Sequence, residues 1–97
     1  MVIRWVELSE GNDKKWHQKS FCEKHLSYQQ ALQEIHAAIQ NSYEFASLSD
    51  NEFTHQIGFS KYPPKSNSYY WLFVNGTREE MEQIQEDKIV KQSLFRH

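Results

Sequence analysis

Three side chains able to ligate a metal, His17, Cys22 and His25, fall close together in the chain. Zinc accepts thiolate and imidazole, and a short loop could gather three such donors. Structural zinc sites usually take four ligands, mostly with two or more cysteines, and the remaining histidines, 36, 55 and 97, lie on unrelated segments. The expectation is no metal and no cofactor. Cys22 with His25 also has the types of a nucleophile and its base, but no glycine-rich turn or third orienting group accompanies them. No Ser-centred elbow, phosphate-cradling glycine loop or carboxylate pair with a base is present, and the chain holds only three glycines with which to build one. A non-enzymatic protein is expected. His55 shares an alternating pattern with Phe53, Ile57 and Phe59, which reads as a hydrogen-bonded, half-buried imidazole or a pocket ligand.

Charged and aromatic residues offer other chemistry. Lys14-Lys15-Trp16-His17-Gln18-Lys19, with Phe21 and Lys24, mixes cations with rings as single-strand nucleic-acid binders do. Asp13 and Glu23 partly cancel that patch, so a solvated segment pinned by Trp16 and Phe21 is the preferred reading. The most lopsided charge lies in Glu79, Glu80, Glu82, Glu86 and Asp87, opposed only by Arg78, and Asp50 and Glu52 can add to it. Carboxylates spaced along a helix can stand in for the phosphates of a duplex and occupy a basic channel. An ordinary solvated helix face with favourable N-terminal acids is the plain alternative.

The elements that would position these residues follow from periodicity and punctuation. Val2 to Leu8 reads as a strand, with Val2, Val6 and Leu8 on one side and Ile3 and Trp5 on the other. Gly11-Asn12-Asp13 ends it, and the stretch from 11 to 26 reads as a connection that could hold a further helix. Ser27 and Gln30 have the spacing of a capping box, and Tyr28, Leu32, Ile35 and Ile39 form an apolar stripe, predicting a helix over about 28–41. Phe53, Ile57 and Phe59 alternate with polar or small residues as a strand does, Pro63-Pro64 breaks it, and Tyr69 to Val74 forms the next strand. Thr77 and Glu80 repeat the capping-box spacing before a second helix to about Asp87, and 89–95 is expected to close the chain as a fourth strand.

The resulting order, β-α-β-β-α-β, predicts an α+β domain of the ferredoxin-like plan, a four-stranded antiparallel sheet with both helices on one face through Leu32, Ile35, Met81 and Ile84. In topology it resembles the RNA-recognition motifs, although the basic residue and glycines those carry on the Tyr69 to Val74 strand are missing here. Apolar residues of both parities on that strand imply that its second face is covered or meets a partner.

At 97 residues the chain is the size of one domain, 1–97, and its 14% aromatic content argues against disorder. A formal net charge of −2 disfavours direct nucleic-acid binding on bulk electrostatics. One cysteine, a start without a basic and apolar leader, and no apolar run near membrane-spanning length lead to the expectation of a cytoplasmic protein with no membrane partner. In size, class and the run Glu79-Glu80-Glu82-Glu86-Asp87, it resembles the small phage-encoded inhibitors of bacterial nucleic-acid enzymes, including DNA-mimicking anti-CRISPR proteins. That resemblance implies a protein partner, a nucleic-acid-binding complex, whose lysines and arginines those carboxylates would engage, in the host cytoplasm. The alternatives are an RNA or single-strand binder using Lys14, Lys15, Trp16 and the sheet aromatics, and a ligand-binding or enzymatic dimer with the open sheet faces paired. Oligomeric state is left open by the sequence.

Overall fold

A computed structural model describes residues 1–95. Five strands, β1 (Val2–Glu10), β2 (Trp16–His25), β3 (Glu44–Asp50), β4 (His55–Lys61) and β5 (Ser68–Asn75), form a single antiparallel sheet. The spatial order is β2-β1-β5-β4-β3. Three helices complete the fold: α1 (Tyr28–Gln40) between β2 and β3, then α2 (Arg78–Glu86) and α3 (Lys88–Leu94) after β5. Chain direction thus reverses in a β1–β2 hairpin, crosses through α1 to the far edge, and returns by a β3-β4-β5 meander that places β5 beside β1.

The fold is α+β as expected, but the four-stranded ferredoxin-like plan is corrected to five strands and three helices. The segment 11–26 is largely strand: all ten residues of β2 are exposed, so neither face imposes the apolar alternation by which a strand is recognised. β3 is the other edge, polar and small except for Phe45 and Leu48. The expected fourth strand over 89–95 is helical. Asp87 accepts hydrogen bonds from the N–H groups of Ile89 and Val90, and Val90, Ser93 and Leu94 turn inward at helical spacing.

Both expected capping boxes are present. Ser27 Oγ accepts from Gln30 N while Gln30 Oε1 accepts from Ser27 N, and Thr77 and Glu80 repeat the exchange on α2. The helices cover one sheet face. Ile3, Ile57, Phe59, Leu72 and Val74, one parity of β1, β4 and β5, form a single core with Ala31, Ile35 and Ala38 of α1, Met81 and Ile84 of α2 and Val90 of α3. Leu32 packs at its margin. The opposite parity, with Val2, Val6, Leu8, Tyr69, Trp71 and Phe73, lies on the face without helices. Among the described residues, no helix is long and apolar enough to cross a membrane.

A register shift between Glu7 and Leu8 leaves Lys19 as the extra residue of a bulge in β2. Lys19 Nζ reaches Glu7 at 3.5 Å, so the exposed edge carries a cation at its point of irregularity, a feature that discourages strand addition.

Candidate protein-binding surfaces

The hairpin between β3 and β4 is closed by Asn51, whose Oδ1 accepts from Phe53 N at 2.8 Å and Thr54 N at 2.9 Å. Asn51 N also donates to Thr54 O at 3.0 Å. An asparagine that satisfies the backbone two and three residues on fixes a turn without help from packing. Phe53 therefore leaves the strand pattern to which its spacing assigns it and is 88% exposed, the most exposed large apolar side chain described. Sequence spacing missed this residue; the signal available was Asn51 placed to form the turn.

Beside this turn begins α2. Gly76 N donates to His55 O at 3.4 Å, and Arg78 Nε lies 3.9 Å from Asp50 Oδ1. His55 is not a core ligand: its Nδ1 sits 2.8 Å from Asp50 Oδ1 across the end of the hairpin. The acidic residues singled out from sequence separate into two groups. Glu80, Asp87 and Asp50 are committed within the fold, Glu80 to the α2 cap, Asp87 to the α3 cap and His36, and Asp50 to His55 and Arg78. The backbone hydrogen bond of the Thr77 cap holds the Glu80 carboxyl below its ordinary pKa, outweighing an opposing burial penalty with smaller help from the Thr77 hydroxyl and the chain N-terminus. Among the described residues, the carboxylates of Glu52, Glu79 and Glu82 make no hydrogen bond or ion pair, and that of Glu86 meets only Lys91, at 3.4 Å on the exposed surface. Glu79, Glu82, Glu86 and Asp87 line an open groove of about 830 Å³ with Tyr28, Gln29 and Gln83. The helix thus exposes a run of carboxylates whose charge is not spent inside the fold.

The second surface is the helix-free face of the sheet. Phe73 and Trp71 stack with centroids 5.2 Å apart and planes 4° from parallel, and Trp71 stacks on Tyr69 at 5.6 Å. Trp16 and Tyr62 extend the row, each meeting Tyr69 and each other. Gly58 sits beneath it on β4: a Cβ there would run into Ser47 Oγ and come within 3.3 Å of Trp71, so the rings lie over bare backbone. The structure joins Trp16 to the sheet aromatics, as the nucleic-acid reading requires. Arg4, the arginine on this face, is already paired with Glu23 at 2.7 Å, and the guanidinium hydrogen bond holds the Glu23 carboxyl below its ordinary pKa.

His17, Cys22 and His25 do not assemble. All three lie on the extended β2, where His17 and His25 are separated by roughly 26 Å at about 3.3 Å per residue. Cys22 opposes Trp5 while His25 opposes Val2, which places them on opposite sheet faces. His17 is instead held by Asp13 at 3.0 Å. Among the described residues, no group of three or more His, Cys, Asp or Glu could hold a metal; His97 lies outside them. The chain matches no model of a known protein family, no curated protein and no solved structure.

Proposed function

We propose that this chain is a non-enzymatic protein-binding inhibitor that docks on a basic, nucleic-acid-binding surface of its target through the α2 face and the β3–β4 turn. The observation that carries this reading is Phe53, held 88% exposed on a fixed turn beside carboxylates that the fold leaves uncommitted. An exposed aromatic on a rigid support costs little conformational entropy on binding and is the type of residue that anchors an interface when it enters a pocket. Glu52 next to it in the turn, and Glu79, Glu82 and Glu86 on α2, whose start lies beside the turn, supply steering toward lysines and arginines in the role that phosphates would play. This is the mode of action of the DNA-mimicking inhibitors that the sequence resembles.

The reading is tested by affinity capture with the tagged chain, with and without competing duplex DNA. A target that binds nucleic acid should be recovered and displaced by the duplex. Phe53→Ala is expected to weaken capture by roughly thirtyfold, about 2 kcal/mol at an anchor residue, while shifting folding stability by less than about 0.5 kcal/mol. Reversing Glu79, Glu82 and Glu86 to lysine together should abolish capture and slow association most at low salt. Unchanged affinity in both variants overturns the reading.

A further inference from the structure

The helix-free sheet face is a second surface, independent of the one just described, and we infer that it is the interface of a symmetric dimer of this chain. Three features specify a second copy as the occupant. Apolar side chains gather on its β2-β1-β5 side: Trp71 and Tyr69 on β5, Val6 and Leu8 beside them on β1, and Phe21, 50% exposed, on β2. Trp16 and Tyr62 prolong the row while remaining 43% and 54% exposed. A monomer leaves this aromatic surface in water, where each large ring forfeits a substantial part of the free energy its burial would supply.

Charge is the second feature. A two-fold interface brings each surface against itself, so a face of one sign repels its own copy. Here Arg4 and Glu23 neutralise each other across β1 and β2, and both stand toward one end of the aromatic row, where a polar rim belongs. The same neutrality disfavours a polyanion, which needs cations free to meet phosphates. Area is the third. Five strands about 4.8 Å apart and about eight residues long at about 3.3 Å each span roughly 24 by 26 Å, and the corrugated accessible surface of such a face approaches the roughly 800 Å² per partner of a standard specific interface. Two sheets would then stack about 10 Å apart as a sandwich, each supplying the layer the other lacks. The helices lie on the outer faces of that sandwich, so a dimer would present two copies of the acidic surface and gain avidity for a repetitive target.

Sedimentation equilibrium of the full chain tests the inference. At about 100 µM, well above the weak end of the affinity range for interfaces of this size, the 11.7 kDa chain should sediment at twice its monomer mass. Phe21→Asp and Tyr69→Lys, each placed on the helix-free face, should raise the dimer dissociation constant at least tenfold with an unchanged far-UV spectrum. A wild-type chain that stays monomeric at that concentration overturns the inference. So does a dimer indifferent to both substitutions but broken by His25→Pro, at a position whose N–H turns away from β1, which would put the contact on the β2 edge. Binding of a single-stranded oligonucleotide by a monomer, with quenching of tryptophan fluorescence, would assign the face to nucleic acid instead. Capture of the inhibitor's target is read separately, because Phe21 and Tyr69 lie outside the proposed acidic surface.

Discussion

Phe59→Ala should lower the stability of the chain by about 3 to 5 kcal/mol, the usual cost of deleting a buried phenylalanine ring. Phe59 is fully buried and is the largest of the side chains with no solvent exposure. Across the sheet it sits between Phe45 on β3 and Leu72 on β5, and α2 packs above its strand, so the cavity would open where three layers of contacts meet. Regular elements on every side prevent the surroundings from collapsing into it. A domain of this size has about 5 to 15 kcal/mol in total, and each kcal/mol corresponds to roughly 4 to 8 °C in melting temperature, which places the expected fall at about 12 to 40 °C. Urea unfolding followed by far-UV circular dichroism measures it, with Phe59→Leu expected to lose distinctly less because it retains most of the apolar volume. A loss below about 1 kcal/mol for the alanine variant would show that the helices do not pack on this position.

That core was legible in the chain because its strands and helices repeat their apolar residues at the period of the element. Ile57 and Phe59 alternate with polar or small neighbours, Tyr70 and Leu72 oppose Tyr69, Trp71 and Phe73, and the two capping boxes mark where α1 and α2 begin. The elements that escaped detection lack that imprint. β2 has no buried face to write an alternation into its sequence. α3 carries in its first turn Ile89 and Val90, whose β-branched side chains favour strand, and its helical state is set by tertiary packing of Val90 and Leu94 together with a single aspartate cap. Two unforeseen edge strands and the replacement of the expected fourth strand by α3 change the layout, while β1, β4, β5, α1 and α2 stand as expected, which is why the α+β class holds and the four-stranded ferredoxin-like plan is matched only roughly.

The candidate surface was legible in part for the same reason. A run of glutamates announces an acidic helix, but composition does not say which carboxylates the fold consumes. Glu80 and Asp87 occupy cap positions, where helix geometry demands an acceptor, and so are structural before they are functional. Phe53 was hidden for the opposite reason: it continues the parity of Ile57 and Phe59, and only the side-chain turn at Asn51 takes it out of the strand. The helix-free face was foreseen from the two apolar parities of β5, whereas the addition of Trp16 and Tyr62 to its aromatic row depends on long-range pairing that no local pattern encodes.

Asp87 joins the end of α2 to the start of α3, and its removal is expected to cost about 3 kcal/mol. Its carboxylate accepts from Ile89 N at 3.0 Å and Val90 N at 3.1 Å and lies 2.8 Å from His36 Nε2 on α1, so one side chain caps α3 and ties it to the neighbouring helix. A lost N-cap accounts for about 0.5 to 2 kcal/mol, and a charge-assisted hydrogen bond between two part-buried side chains for about 1.5 to 3 at most. Burial alone would raise the pKa of this carboxyl; the hydrogen bond from His36, those from Val90 and Ile89, and the charge of His36 outweigh it and hold the group below its ordinary value. A depressed folded-state pKa stabilises the protein above the unfolded-state value, near pH 4, and that contribution is lost as pH falls through the folded-state value. Asp87→Ala should therefore be markedly less stable than the wild type at pH 7, with the gap narrowing as acid protonates the wild-type carboxyl. Asp87→Asn, which keeps a capping oxygen but not the charge, should lose about 1 kcal/mol at pH 7. Denaturant midpoints of the three proteins at pH 7 and pH 3 provide the comparison. An alanine variant as stable as the wild type at pH 7 would mean that α3 is held by Val90 and Leu94 alone.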